Sequence, residues 1–257
     1  MADIAQPERV EVLAADISDV RAALAAGWRD FRRAPIYGIF FALVYVLGGW
    51  GIVAAMSVQG QVWWTIPAMA GFPILGPFIA CGFYEISRRL EGGEALLAGD
   101  ILGVVWRQKD RQIPSMAAVI VVFFLFWNFL SHMIFALFLG NATLTNISSS
   151  VSVFLTPEGM TMLAFGTGVG AVFATLLYAL TVVSLPMLLD REVDFVTAML
   201  TSFALVRENP VVMLGWGAFI AVLLFAGMAV LFLGLLIVLP ILGHATWHLY
   251  RRAVVWG

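Results

Sequence analysis

Long apolar runs separated by short polar segments constrain this chain more than any other feature of its sequence. A helix needs about 20 mostly apolar residues to cross the roughly 30 Å hydrocarbon core of a bilayer. The runs that reach this length are residues 36–56, 62–90, 113–139, 160–188 and 210–249. The last run is long enough for two crossings, so it predicts two helices joined by a tight turn near residues 226–228. The pattern therefore predicts six membrane-spanning helices.

The composition supports a membrane protein and excludes several other classes. Hydrophobic residues make up 62% of the 257 residues, charged residues only 12%, and the mean hydropathy is +0.97. Soluble domains are nearer half apolar and a quarter charged. The net charge of −2 predicts no nucleic-acid partner. The single cysteine, Cys81, allows no intramolecular disulfide, and residues 1–34 lack the apolar core of a signal peptide.

The basic residues predict how the six spans are oriented. All 14 Lys and Arg residues fall in the N-terminus, the 84–112 loop, the 190–209 loop and the C-terminus. In a six-span arrangement these four segments share one side of the membrane, and the other side has no basic residue. Basic loops are retained in the cytoplasm. We therefore expect both termini to be cytoplasmic, whereas five spans would leave Arg251 and Arg252 outside.

A recurring order of segments predicts an internal threefold repeat. An amphipathic segment begins near Asp16, Asp100 and Asp194, and each is followed by a proline where the chain enters the membrane. The predicted fold is an all-α membrane protein of three hairpins, each preceded by a cytoplasmic amphipathic helix. Chance similarity among apolar sequences is the alternative. The chain forms one domain, residues 1–257, whose predicted parts are a flexible N-terminus at residues 1–15 and repeats at residues 16–90, 100–189 and 194–252.

The three histidines are the residues best suited to bind a metal or haem. His244 and His248 are four residues apart and share one face of a helix, a spacing found in metal and haem sites. His132 lies roughly 28 Å into its predicted span, at 1.5 Å per residue, and therefore far from that pair. Hydrogen-bonded histidines near the interface fit this placement better than a shared site. The sequence consequently predicts no metal and no cofactor.

A polar group ends the second apolar run, where its helix leaves the bilayer. Glu85 and Arg89 are four residues apart, in the order that favours an ion pair on a helix. We expect this exit to contact the first amphipathic segment, either as a structural brace or as a substrate site. The candidate cluster comprises residues at the exit and in that segment: Tyr84, Glu85, Arg88, Arg89, Trp28 and Asp30.

The most distinctive stretch is residues 76–94, which begins with Gly76-Pro and continues through Tyr84-Glu-Ile-Ser-Arg-Arg to Glu94. It resembles the run that follows the second span in the DUF2189 family of predicted bacterial integral membrane proteins. Upstream, Gly27-Trp28-x-Asp30 and the entry at Pro35-Ile-Tyr-Gly38 are also similar to that family. The resemblance implies a multi-pass protein of the bacterial inner membrane, and it names no activity.

The sequence favours a non-enzymatic role, because it contains no catalytic triad, zinc-ligand set or phosphate loop. The first hypothesis is an accessory, scaffold or assembly protein, with membrane lipids and other membrane proteins as its candidate partners. The alternative is a small-molecule or lipid transporter, or a channel-like protein, built from the three repeats. A filled apolar interior favours the first hypothesis, and a polar cavity at mid-membrane favours the second.

Overall fold

The computed structural model describes residues 10–59, 65–140 and 154–257, and these residues are mostly helical. In chain order the helices are α1 (Ile17–Arg33), α2 (Pro35–Gln59), α3 (Thr65–Gly92), α4 (Ala98–Arg107), α5 (Ile113–Leu139), α6 (Pro157–Thr181), α7 (Ser184–Asp190), α8 (Phe195–Glu208), α9 (Pro210–Ala229) and α10 (Leu235–Ala253). Two short strands, β1 (Val10–Val12) and β2 (Val254–Trp256), lie at the two ends of the described chain.

Four segments of the described chain are long and apolar enough to cross a membrane. They are Pro35–Ala54, Ile113–Leu139, Pro157–Asp190 and Pro210–Ala229, which correspond to α2, α5, α6 with α7, and α9. Each begins with a proline in its first turn, where a helix needs no N–H donor. The prediction of an all-α membrane protein is confirmed. The count of six spans stays a prediction, because it also requires α3 and α10 to cross.

The starts of α1 and α8 are fixed by acidic residues. The Asp16 carboxylate accepts hydrogen bonds from two backbone N–H groups, at 2.6 and 3.2 Å, and the Asp19 carboxylate accepts the N–H of Asp16 in return. Asp194 caps α8 by accepting the N–H of Thr197 at 2.9 Å. The third predicted start differs, because Asp100 lies inside the first turn of α4 and does not cap it.

The N-terminal segment is anchored where the structure describes it. β1 pairs antiparallel with β2. After the strand, the Asn209 side chain accepts the N–H of Ala15 at 2.8 Å and donates to the carbonyl of Leu13 at 3.2 Å. The prediction of flexibility over residues 1–15 is therefore wrong from residue 10 onward, because strand pairing and a side-chain amide satisfy the backbone there. The first nine residues lie outside the described part of the chain.

The turn between α9 and α10 lies a few residues later than predicted. It spans residues 230–234 instead of residues 226–228, and its apolar sequence offers no polar residue that marks it. Leu231 and Phe232 adopt positive φ angles of 52° and 64°, a conformation that is rare for bulky side chains. A contact with α2 supports this turn, since the Trp50 indole N–H donates to the Leu231 carbonyl at 2.8 Å.

Helix α10 packs against α1, α2 and α3. It runs antiparallel to α1 and α2, because Gly27 of α1 contacts the backbone at Ala245 while Gly38 of α2 contacts Pro240, nearer the start of α10. It runs parallel to α3, whose Phe83 packs on α10 one turn before the Ser87 side chain reaches it. Glycines at such crossings let helices approach closely. The charged ends of α3 and α10 therefore lie at the same end of the bundle.

Candidate functional site

Many described charged side chains meet at one end of the helical bundle, which we call the polar end. Ion pairs there join segments that are distant in sequence. They are Arg89–Asp100 (3.2 Å), Arg111–Glu192, Arg251–Glu91 (3.2 Å), Arg251–Asp190 (3.3 Å) and Arg252–Asp19 (3.4 Å). The four polar segments thus come together at one end of the bundle, and their location on one side of the membrane stays a prediction. Exposed pairs contribute less than about 1 kcal/mol each, so buried groups must add to the stability of this end.

Glu85 is the most buried carboxylate in the Arg88–Arg89 cluster, with 4% of its side chain exposed. Arg88 donates to both of its oxygens, at 2.8 and 3.1 Å, and Arg89 donates at 2.8 Å. Arg107 of α4 approaches to 3.5 Å, and Glu94 lies 2.9 Å from Arg88. A carboxylate removed from water needs such partners to stay charged. The Glu85 cluster therefore joins the end of α3 to α4.

The structure brings together only part of the predicted cluster. Three of the six predicted residues form one group: Glu85, Arg88 and Arg89. Tyr84 is buried in the apolar core, Trp28 is 46% exposed on the outer surface of α1, and Asp30 binds His248. The exit of α3 does reach α1, but through Ser87, which hydrogen-bonds Asp30, and not through the Glu85 carboxylate, whose described partners are arginines. Helix α4 supplies the partners instead, because Gly93, with a φ of 68°, turns the chain back beside α3.

A second buried polar group connects α1, α3 and α10, and we call it the Asp30 group. His248 Nε2 lies 2.7 Å from the Asp30 carboxylate, and the Ser87 hydroxyl lies 2.8 Å from His244 Nδ1. Ser87 and His244 are fully buried, and Asp30 is nearly so. Burial raises the pKa of Asp30, but hydrogen bonds from His248 and Ser87 lower it more, so this pKa lies below its ordinary value of 3.8. These contacts thus hold α1, α3 and α10 together at the Asp30 group.

The Asp30 group does not have the geometry of a hydrolase triad. In such a triad one histidine bridges the serine and the carboxylate. Here the serine itself lies between His244 and Asp30, Asp30 also binds His248, and the Ser87 hydroxyl is closed to solvent. Buried polar groups that hydrogen-bond one another act as a structural connection. The geometry therefore supports a brace between α1, α3 and α10.

The described histidines do not assemble into a metal site. No group of three His, Cys, Asp or Glu side chains suited to a metal occurs within the described ranges. His248 directs Nε2 at Asp30, whereas His244 Nε2 is buried without a partner. His132 lies apart on α5, with Nδ1 2.7 Å from the Asn128 carbonyl. The two histidines that share a helical face therefore serve different neighbours, and the absence of a bound metal or haem stays a prediction.

A large apolar cavity lies between α5, α6 and α9, and we call it the groove. Its volume is about 1010 Å³. All of its lining side chains are uncharged, and many are small or aromatic, including Trp127, Ile134, Gly170, Ala174, Gly217 and Ala221. Two lining hydroxyls are already used, since Tyr178 donates to the Met213 carbonyl at 2.7 Å and Ser131 to that of Asn128 at 2.8 Å. The groove is thus neither a filled interior nor a polar cavity.

Glycines shape the walls of the groove. A Cβ on Gly170 would lie 2.9 Å from the Trp127 ring, and a Cβ on Gly217 would lie 3.1 Å from the Tyr178 ring. These two glycines therefore let α6 pack on α5 and α9 pack on α6. In the sequence, the four-residue spacing of Gly166 and Gly170 is the signal for close helix packing. No sequence signal indicates that a cavity lies beside it.

Replacing Asp30 by asparagine tests the Asp30 group. We expect Asp30→Asn to lower the free energy of unfolding in detergent by about 1–3 kcal/mol near pH 7, because buried donors lose a charged acceptor. The pKa of Asp30 is lowered by folding. Its contribution is therefore complete above the unfolded pKa, about 4, and disappears as the pH falls through the lower folded pKa. The difference between variant and wild type should shrink below pH about 4 in thermal unfolding scans.

The matched control is Asp110→Asn, because the Asp110 carboxylate is 82% exposed and its ion-pair partner Lys109 is 4.0 Å away. We expect this control to stay within about 0.5 kcal/mol of the wild type at every pH. If the two variants lost the same unfolding free energy, Asp30 would contribute no more to stability than an exposed carboxylate does. A loss in Asp30→Asn that stays constant well below pH 4 would contradict the lowered pKa.

Comparison with known proteins supports the resemblance noted from the sequence. Residues 65–190 match the model of DUF2189, a family described as predicted integral membrane protein. The matched region contains the Glu85 cluster as well as α5, α6 and α7, whereas α1, α9 and α10 lie outside it. No curated protein and no solved structure matches the chain. The match covers just under half of the chain, supports an integral membrane protein similar to that family, and names no activity.

Proposed function

From the match to a family of integral membrane proteins, we propose that this chain is a six-span accessory or scaffold protein of the bacterial inner membrane. In this proposal the polar end faces the cytoplasm, and the groove receives one transmembrane helix of a partner membrane protein. The observation that carries the proposal is the uncharged, small-residue lining of the groove between three candidate spans. The protein performs no chemistry of its own in this account.

The six-span arrangement is supported by the path of α10. Helix α2 is a candidate span, and α10 follows it in the opposite direction. Two contacts show this path. The Trp50 indole binds the turn before α10, and Gly38 touches Pro240 farther along α10. The contacts from Gly38 to Trp50 cover about 18 Å of α2 at 1.5 Å per residue, so the turn and α10 accompany α2 over more than half of a roughly 30 Å hydrocarbon core. Helix α3 runs parallel to α10 and reaches the polar end beside it.

The shape of the groove supports a helix as its occupant. Gly166 and Ala174 on α6, and Ala218 and Ala221 on α9, also line the groove, and small residues let another helix approach the backbone. A helix about 10–12 Å across occupies roughly 850–1200 Å³ over two turns. The volume of the groove, about 1010 Å³, is of that size. Without water in the bilayer, such a surface gains packing only from an equally apolar partner.

The transporter alternative receives less support from the described residues. A polar solute needs charged or hydrogen-bonding groups along its route at mid-membrane. The charged clusters lie at the polar end, and the groove carries none. A lipid carrier is the form of the alternative that the groove favours, because an acyl chain also fits an uncharged lining. The experiment below separates a lipid from a partner helix.

Site-specific photo-crosslinking in cells that express the full chain tests the proposal. A photoreactive residue is placed at Ala221, in the groove, and at Ala226, which is exposed on the same helix outside the groove lining. We expect irradiation at Ala221 to give a discrete cross-link to a peptide from a transmembrane segment of another protein, identified by mass spectrometry. Irradiation at Ala226 should give no such product.

Filling the groove provides the second arm of this test. The double variant Ala174→Phe with Ala221→Phe should abolish the cross-link from a photoreactive residue at Ala218, another lining position. The control Ala164→Phe with Ala226→Phe, at exposed positions on the same two helices, should retain it. Cross-links to lipid alone would favour the lipid carrier and contradict the scaffold. Equal protein products from the lining and control positions would show that contact is not specific to the groove.

A further inference from the structure

The outer face of α1 carries a row of arginines that have no acidic partner within the part of the chain that the structure describes. Arg21, Arg29, Arg32 and Arg33 are exposed, and none of them forms an ion pair with a residue in the described ranges. Successive spacings of seven and four residues place Arg21, Trp28 and Arg32 along one strip of the helix. Trp28 is 46% exposed within that strip. We call this surface the α1 basic face.

The described arginines at the polar end differ from those of the α1 basic face because they form ion pairs. Those at the polar end lie within ion-pair distance of an Asp or Glu and connect or stabilise helix ends: Arg88, Arg89, Arg107, Arg111, Arg251 and Arg252. The opposite side of α1 is buried and includes Val20, Ala23 and Gly27. Helix α1 therefore directs its small residues at the protein and leaves a concentrated positive charge on its outer side.

The position of α1 in the chain places the α1 basic face beside the start of a candidate membrane span. Helix α1 ends at Arg33, and the candidate span of α2 begins at Pro35. From Arg21 to Arg33 the face extends about 18 Å along the helix, at 1.5 Å per residue. Its last arginines are therefore within about one helical turn of the point where the chain enters the bilayer. Tryptophan is enriched at this depth, between headgroups and hydrocarbon.

We propose that the α1 basic face binds the phosphate groups of anionic phospholipids in the leaflet that α2 enters. A guanidinium group donates two parallel hydrogen bonds to phosphate oxygens, and a lipid headgroup supplies the negative charge that the described protein does not provide here. Basic side chains next to a span attract anionic lipids over about a Debye length. The inference requires only that α2 crosses the membrane, so it does not depend on the groove or its occupant.

Lipid binding by the purified full chain tests this inference. The protein in a neutral detergent is titrated with phosphatidylglycerol or with phosphatidylcholine of the same acyl chains, and bound lipids are counted by native mass spectrometry. We expect the wild type to prefer phosphatidylglycerol. Arg29→Gln with Arg32→Gln should reduce that preference at least tenfold, because removing each basic residue near a surface costs roughly a fivefold change. Raising the salt concentration should weaken the preference in the wild type.

Two further variants make the result decisive. The control Lys109→Gln with Arg207→Gln removes the same charge at exposed positions outside α1 and should change the preference less than twofold. Arg29→Lys with Arg32→Lys keeps the charge and should retain most of the preference. A wild type without preference for the anionic lipid, a loss in the control as large as that in the α1 variant, or a loss in the lysine variant would overturn the proposal. So would saturation of the α1 basic face by millimolar inorganic phosphate, which would identify a free anion as its ligand.

Discussion

Replacing Gly27 by leucine is expected to separate α1 from α10 and to be the most damaging single substitution proposed for this protein. A Cβ at Gly27 would lie 2.6 Å from the backbone nitrogen of Ala245 and 2.7 Å from the carbonyl oxygen of Ile241. Both are backbone atoms, so no side chain can rotate away. Overpacking of this kind costs about 1–3 kcal/mol, and more where backbones must move apart. We expect a loss of at least about 3 kcal/mol in detergent, measured by chemical or thermal unfolding.

The control for this prediction is Gly99→Leu on α4, where a Cβ meets nothing within 4 Å. The larger side chain should be tolerated there, because leucine also has a better helix propensity than glycine by up to about 1 kcal/mol. Similar stability of the two variants would show that α1 does not pack closely on α10. The Asp30 group would then lose its structural basis as well, since it depends on the same crossing.

The second large effect is expected at Glu85. Replacing Glu85 by glutamine leaves Arg88 and Arg89 without the carboxylate that each contacts at 2.8 Å. Removing one partner of a buried ion pair costs about 3–5 kcal/mol, and a partly exposed one less. Because Arg88 retains Glu94 and Arg89 retains Asp100, we expect a loss of about 2–3 kcal/mol in the unfolding free energy. Glu94→Gln, at a side chain that is 41% exposed, should cost less than about 1 kcal/mol.

Combining Glu85→Gln with Arg89→Gln should cost less than the sum of the two single effects, because coupled partners are not additive. Strict additivity, or equal mild effects of the Glu85 and Glu94 variants, would reduce the Glu85 cluster to a solvated helix end. A third result carries functional information. If stability is retained while the cross-link at the groove is lost, the Glu85 cluster acts in partner binding and not as a brace.

Parts of the fold that depend on neighbouring residues are predictable from the sequence. The apolar runs predict α2, α5, α6 and α9, because the length of a span is set by the thickness of the bilayer. Asp16 and Asp194 predict helix starts, since an N-cap needs only the next three residues. The ion pairs of Glu85 with Arg88 and Arg89 follow from helical spacing in the same way.

Contacts between segments that are distant in sequence cannot be predicted from neighbouring residues. Asp30 meets His248 across 218 residues, and the periodicity of α1 and α10 gives the face of each helix but not its partner. The pairing of β1 with β2 joins the two ends of the described chain, and three-residue strands have too short a pattern to predict. The groove lies between α5, α6 and α9, which meet closely at Gly170 and Gly217. No local signal encodes how these three helices are placed.

The orientation of the spans is the claim on which the account most depends, and cysteine labelling in intact cells tests it most directly. Cys81 is buried, and a Cys81→Ala background allows single cysteines at exposed positions: Leu97, Leu155, Leu231 and Val255. The six-span arrangement predicts that a membrane-impermeant maleimide labels the Leu155→Cys and Leu231→Cys variants in intact cells. It predicts that Leu97→Cys and Val255→Cys react only after the membrane is opened. Labelling of Val255→Cys in intact cells, or protection of Leu231→Cys until the membrane is opened, would contradict the account.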